Sequence, residues 1–233
     1  MSRSLSYHSR DYQIEELTRG VQLPLPALQR RHLLVIAELL TEAWDDLLEV
    51  QEQILRSKPE PDVNALMKTR INKLRDKKTE WKALVSGVTL GSESCNYDAS
   101  SIEKRPDLSV HLTDKHRPFD FPLIVECKLI DTNNGKEVEL YCKDGISRFI
   151  DGRYAWYARE AFMLAYVRDT STIADCLTPH LEKQQENTPD PFLTEQLPLA
   201  LTPPYPHNLA LSRHGRSFPG NTGAIDMWHL WLD

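Results

Sequence analysis

The sequence predicts an α/β fold: a mixed β-sheet flanked by helices, with an N-terminal helical extension. Three observations predict it. Two stretches, Ala27 to Leu55 and Asp62 to Trp81, repeat apolar residues at threes and fours, the period of helices with one buried face. Arg105 to Ile130 alternates apolar and polar residues on either side of a polar turn, as a β-hairpin does. After it comes a further helix-like stretch and then two strand-like runs, Phe162 to Val167 and Ile225 to Leu232. With 233 residues, 40% hydrophobic and 27% charged, the chain is long enough for one sizeable domain with an extension. We divide it into an arm and helical extension, 1–58, and a sheet-bearing domain, 59–233.

In the first helix Leu33, Ile36, Leu40, Trp44 and Leu47 share a face, and the prolines of Ser57-Lys58-Pro59-Glu60-Pro61-Asp62 end it. The second helix carries Val63, Met67, Ile71 and Leu74 inward and shows a basic face of Lys68, Arg70, Lys73, Arg75, Lys77 and Lys78. That face is either solvated or a contact for a phosphate backbone. Val85 to Leu90 is a short strand. Lys104 and Arg105 arrive just ahead of Asp107, where a basic pair could hold a phosphate. Beyond the hairpin, Val138 to Ile150 suits a helix weakened by Gly145, and Ala155 to Ala161 also reads as helical. Asp169 to Thr188 is a further helix, and the proline-rich 188–208 an irregular excursion. Lys143, Arg148 and Arg153 could face nucleic acid, and Tyr154, Trp156 and Tyr157 could stack on bases or fill the core. Arg213, His214 and Arg216 form a last basic group.

Composition excludes several classes. No apolar run reaches a membrane span and the start lacks a signal-peptide core, so a cytoplasmic protein with no membrane contact is expected. Cys95, Cys127, Cys142 and Cys176 are scattered, which speaks against disulfides and zinc. No GxxxxGK, GxGxxG or GxSxG occurs. The net charge of −6 weighs against nucleic-acid binding, unless basic residues gather on one face or a protein partner or second copy supplies the grip.

The chemistry concentrates in the hairpin. Leu123, Val125, Cys127 and Leu129 share one face of the second strand; Glu126 and Lys128 emerge from the other. The turn is centred on Arg117, so a simple antiparallel register sets Asp107 opposite the Glu126-Lys128 pair. Two carboxylates so close repel unless a cation joins them, and hard oxygens suit Mg²⁺ or Mn²⁺. The Cys127 carbonyl could add a ligand, and a lysine there could orient water or steady a phosphate.

Pro106-Asp107 followed by Glu126-Cys127-Lys128 resembles the PD-(D/E)XK nuclease superfamily, which includes many restriction endonucleases and DNA-repair nucleases. The motif spans about a tenth of the chain. The resemblance implies a restriction-endonuclease-like core, metal held by Asp107 and Glu126, assistance from Lys128, and a Mg²⁺-dependent endonuclease. It implies DNA as the substrate, with RNA also open, and by analogy a place in a defence or mobile-element system. Such nucleases often add an acidic residue from a preceding helix: Glu60 here, with Glu38 and Glu42 as alternatives and Asn64 as a neutral substitute. Glu93 is a further carboxylate. The rivals are a catalytically silent nuclease fold serving as an interaction subunit, and a module that binds nucleic acid without metal. The plainest reading is a hairpin with a surface Glu126–Lys128 ion pair.

Overall fold

The computed structural model describes residues 14–91, 97, 105–201, 208–219 and 223–233. Lys104, Glu93 and Cys95 lie outside the described residues. The elements are α1 (Arg30–Ser57), α2 (Glu60–Leu74), α3 (Thr79–Leu84), β1 (Val85–Leu90), β2 (Leu108–Leu112), β3 (Leu123–Ile130), α4 (Val138–Tyr141), α5 (Ser147–Ile150), β4 (Glu160–Val167), α6 (Thr178–Gln184), β5 (Thr194–Ala200), β6 (Leu209–His214) and β7 (Ile225–Leu232). A π-helical turn, Cys142–Ile146, joins α4 to α5, and a second, Ile173–Leu177, leads into α6.

Seven strands form one mixed sheet in the order β1-β2-β3-β4-β7-β6-β5. Parallel pairing holds the middle, β3 with β4 and β4 with β7, and the outer pairs are antiparallel. β4 is buried along its whole length, as expected of a strand covered on both faces. Leu33, Leu40, Trp44 and Leu47 of α1 pack with Val63, Met67 and Ile71 of α2 and Trp81 of α3 on one face of the sheet. Tyr141, Ile146, Phe149, Ile150, Leu177 and Leu181 cover the other. The described part of the 1–58 extension therefore shares one core with the sheet. Arg168, just past β4, caps the end of α1 by donating to the carbonyls of Leu55 and Lys58.

Four elements differ from expectation. The second helix stops at Leu74, and α3 is separate; Arg75, Asp76, Lys77 and Lys78 form the intervening turn. Residues 155–159 are not helical: Ala155 has φ 47°, and Arg216 takes the carbonyls of Ala155, Trp156 and Ala158 that helical amides would use. Within 188–208 lies β5, whose Pro198 is tolerated because β5 is the outermost strand. β7, although last in the chain, does not close the sheet but inserts between β4 and β6. Its run Ile225-Asp226-Met227-Trp228-His229-Leu230-Trp231-Leu232 is apolar on both faces, which suits a central position. None of the helices among the described residues is long and apolar enough to cross a membrane.

Candidate active site

β2 and β3 pair as Leu108↔Val125, Ser109↔Ile124 and Val110↔Leu123, and continuing the register sets Asp107 against Glu126. The expected faces hold: Val125 and Cys127 belong to the core under α1 and α2, Ile124 and Ile130 to the core under α4 and α5. Two close approaches fix the surroundings. A Cβ on Gly91 would lie 1.8 Å from the Pro106 carbonyl oxygen, so only glycine lets β1 end so near Asp107. A Cβ on Gly145 would lie 2.4 Å from the Met163 side chain; the bare backbone lets the π-helical turn settle over Lys128.

Asp107 accepts from the Cys127 amide through Oδ2 (2.8 Å) and from Asn64 Nδ2 through Oδ1 (3.0 Å). Its carboxylate thus replaces a strand partner at the point where β2 begins. Asn64 is buried and is held by the Tyr166 hydroxyl, which donates to Asn64 Oδ1 at 2.8 Å. Glu60, on the first turn of α2, accepts from the Leu129 amide at 2.9 Å and stands 3.5 Å from Lys128 Nζ. Burial first, then the charge of Asp107, holds the Glu60 carboxyl above its usual range against the pull of Lys128.

Glu126 is the centre. Its side chain is 0% exposed, and its Oε1 accepts from Lys128 Nζ (2.7 Å) and Arg148 Nη1 (2.5 Å). Its Oε2 is buried with no hydrogen-bond partner. Burial, with the Asp107 charge beside it, pushes the Glu126 carboxyl up to about 8, although both cations oppose this. Lys128 also donates to the Cys127 carbonyl (2.7 Å) and lies 3.7 Å from Asp107 Oδ2. Burial would lower its pKa, but Glu126, Asp107 and Glu60 outweigh that and raise it, so the ammonium is firmly charged. Arg148 leans on the Tyr154 ring and donates to its hydroxyl, which donates to the Arg105 carbonyl. Burial first, then Glu126, pushes that phenol up to about 12, so it stays protonated.

Three carboxylates and two cations therefore meet on two strands, one helix and the α5 turn. Among the described residues no three His, Cys, Asp or Glu side chains converge as metal ligands. The oxygens gathered around the Lys128 ammonium are those of three carboxylates, Glu126, Asp107 and Glu60, and the Cys127 carbonyl. Hard oxygens from one or two carboxylates, completed by water, are what Mg²⁺ accepts. An unpartnered buried carboxylate oxygen is a fitting ligand position.

Asp107, Glu126, Lys128, Glu60, Asn64 and Arg148 come together; the other candidates do not. Glu38 and Glu42 pair with Lys78, away from the cluster. Lys73 is exposed at the far end of α2, about 20 Å along the axis from Glu60 at 1.5 Å per residue. Arg70 pairs with Asp46 at 2.8 Å, so the basic face of α2 is partly neutralised by α1. Arg105 is exposed and next to the cluster, its carbonyl held by Tyr154. Tyr154, Trp156 and Tyr157 are buried and fill the core instead of offering stacking surfaces. His214 is buried, Arg213 pairs with Glu195 and Asp226, and Arg216 holds backbone carbonyls, so that group is structural. The sequence reading missed Tyr166, whose only signal is a hydroxyl on an otherwise apolar central strand. A cavity of about 340 Å³ between β4, β5, β6, β7 and the turn before α6 is lined by Val167, Thr172, Pro198 and Trp231 and does not reach the acidic cluster. Compared with models of known families, with curated proteins and with solved structures, the chain matches none.

Proposed function

We propose that the chain is a metal-dependent nuclease of the PD-(D/E)XK kind, with a restriction-endonuclease-like core, that hydrolyses phosphodiester bonds in DNA. The observation that carries this reading is Glu126: a fully buried carboxylate with one oxygen unpartnered, set across from Asp107 and beside Lys128. Most buried polar atoms are hydrogen-bonded, so an open carboxylate oxygen between Asp107 and two cations is a position a ligand can fill. Asp107, Glu126 and the Cys127 carbonyl would hold the ion, with Glu60 behind them. A divalent ion there supplies positive charge against the phosphate and makes water more acidic.

The chain's own groups do the rest. Burial and the Asp107 charge raise the Glu126 pKa, and a divalent ion held there would favour its carboxylate form. Lys128, displaced from the carboxylates, keeps its charge and can hold the attacking water or the phosphate oxygen. Arg148 anchors Glu126 on the other side and is 29% exposed, enough to touch a phosphate. Asn64 and Tyr166 fix Asp107 in place. Cleavage of plasmid and single-stranded DNA should require Mg²⁺ or Mn²⁺, stop in EDTA, and fall about 10²–10⁴-fold in Lys128→Ala. Asp107→Ala should be at least as severe. Cutting that survives both substitutions would refute the assignment.

One observation favours a second reading. Lys128 Nζ already bridges Glu126 and the Cys127 carbonyl and approaches Asp107 and Glu60. A closed ion cluster of that kind would serve a catalytically silent subunit. Wild type that is folded yet neither cuts DNA or RNA nor binds Mg²⁺ would select it.

A further inference from the structure

The opposite end of the β2–β3 hairpin carries a second constellation, of opposite sign. Helix α1 is 28 residues long, and its N-cap, Gln29, makes no side-chain capping hydrogen bond. The first amides of any α-helix lack intrahelical acceptors and carry partial positive charge. Acidic residues usually answer them. Here the first turn has none and reads Arg30, Arg31, His32 instead. Glu160 takes only the Leu28 amide, one residue earlier, at 3.3 Å.

Against this helix end stands the β2–β3 turn. Leu28, Gln29, His32, Lys115, His116 and Arg117 line a cavity of about 200 Å³. His32 and His116 meet edge to face, their ring centroids 4.5 Å apart. Arg117 is 3% exposed; its Nη2 pairs with Glu160, and its Nη1 is buried with no partner. Burial first, then neighbouring positive charge from Arg31 and Lys115, keeps both imidazoles below their usual range, and no carboxylate offsets this. In a chain of net charge −6, a helix N-terminus, two histidines, a lysine and an unsatisfied arginine share one small pocket. The chemistry lacks an anion.

We propose that the N-terminus of α1 and the β2–β3 turn form a phosphate-binding pocket, which takes inorganic phosphate or the terminal phosphate of a monoester. Helix amides and a guanidinium are the usual donors to such oxygens. A volume of about 200 Å³ has room for a phosphate group and is below the roughly 300 Å³ typical of pockets for drug-sized ligands. Glu160, which holds Arg117, stands three residues before Met163, the β4 partner of Glu126, so along the strands the pocket lies about 10 Å from the acidic cluster, at 3.3 Å per residue. The inference stands whether or not the chain cleaves nucleic acid.

The test is calorimetric titration of the full chain in EDTA with inorganic phosphate, with glycerol 1-phosphate, and with chloride at matched ionic strength. Phosphate should bind saturably and chloride should not. Equal binding of the monoester would identify the phosphate group alone as the feature read; weaker binding would identify free phosphate as the ligand. In a Lys115→Ala, His116→Ala double variant the affinity should fall at least tenfold. Gln29→Asp supplies a carboxylate cap, so it should raise the phosphate-free melting temperature and also abolish binding. Lys128→Ala, at the other end of the hairpin, should bind phosphate as wild type does. Unsaturable binding, an equal response to chloride, loss in Lys128→Ala, or full affinity in Gln29→Asp would each overturn the proposal.

Discussion

Two buried glutamates paired to arginines lie on the neighbouring strands β3 and β4, and they are finished differently. Glu160, the first residue of β4, has both oxygens used: Arg117 donates to Oε1 and the Leu28 amide to Oε2. Glu126, midway along β3, has two cations crowded on Oε1 and nothing on Oε2. Burial raises the pKa of both, and Arg117 counters it for Glu160; for Glu126 the charge of Asp107 adds to burial. At the Glu160 end the unfinished atom is Arg117 Nη1, a donor. The open atom beside Glu160 is a donor and the open atom of Glu126 is an acceptor. Where a buried polar group is left open, and by which sign, separates a carboxylate that holds the fold together from one that awaits a ligand.

The largest effect should come from exchanging the roles. Glu160→Gln leaves the almost fully buried Arg117 without its counter-charge, and the expected cost is about 3–5 kcal/mol of unfolding free energy. Glu126→Gln in metal-free buffer should cost less than about 1 kcal/mol, because Lys128 and Arg148 keep other partners and the amide no longer needs a cation. Urea denaturation of both variants measures the contrast. Equal losses would make the Glu126 cluster a structural ion network and break the comparison.

Divalent metal should sharpen it. A site that binds only the folded chain stabilises it by about 2.7 kcal/mol at a hundred times its dissociation constant. Mg²⁺ should therefore raise the melting temperature of wild type, leave an Asp107→Ala, Glu126→Gln double variant unmoved, and act at least as strongly on Lys128→Ala, whose competing ammonium is gone. A Mg²⁺ response that survives in the double variant would place the ion elsewhere.

Much of the acidic site was legible because a hairpin is a local structure. Counting residues on either side of Arg117 is enough to bring Asp107 to Glu126, and alternation alone puts Glu126 and Lys128 on one face. The helical period alone could not separate Glu60 from Glu38 and Glu42, which the fold leaves exposed while Glu60 is partly buried. What singles it out is the Leu129 amide, a contact across 69 residues. Arg148 read as a DNA contact because nothing in the sequence tells that a π-helical turn aims it at Glu126. The aromatic trio Tyr154, Trp156 and Tyr157 is equally consistent with stacking or core by composition. Burial decides it, and burial is a property of the whole fold. β5 was hidden by its prolines, and the place of β7 by strand order, which no local pattern encodes.

A third buried polar group shows what completion looks like. The His214 Nδ1–H donates to the Phe192 carbonyl (2.9 Å), so its Nε2 accepts from the Ser212 hydroxyl at 2.7 Å. Ser212 Oγ in turn accepts from His229 Nε2 at 2.7 Å, which leaves His229 Nδ1 for the Tyr141 hydroxyl at 2.8 Å. All four residues are buried, and no nitrogen or oxygen of this chain is left open. Ser212→Ala would strip the partner from both Nε2 atoms and should cost about 1–3 kcal/mol. The same chain predicts a pH response. Burial, then His214, holds His229 well below its ordinary 6.5, and burial also lowers His214. Below that pH the unfolded chain binds protons that the folded chain refuses, so this contribution is whole at neutral pH and lost as pH falls. Each histidine adds at most about 1.4 kcal/mol per pH unit to the slope. In His229→Leu the loss of stability between about pH 7 and pH 5 should be shallower than in wild type by up to one such slope. An unchanged slope would mean that His229 is charged inside the fold, and that the chain of hydrogen bonds is not complete in the way its geometry implies.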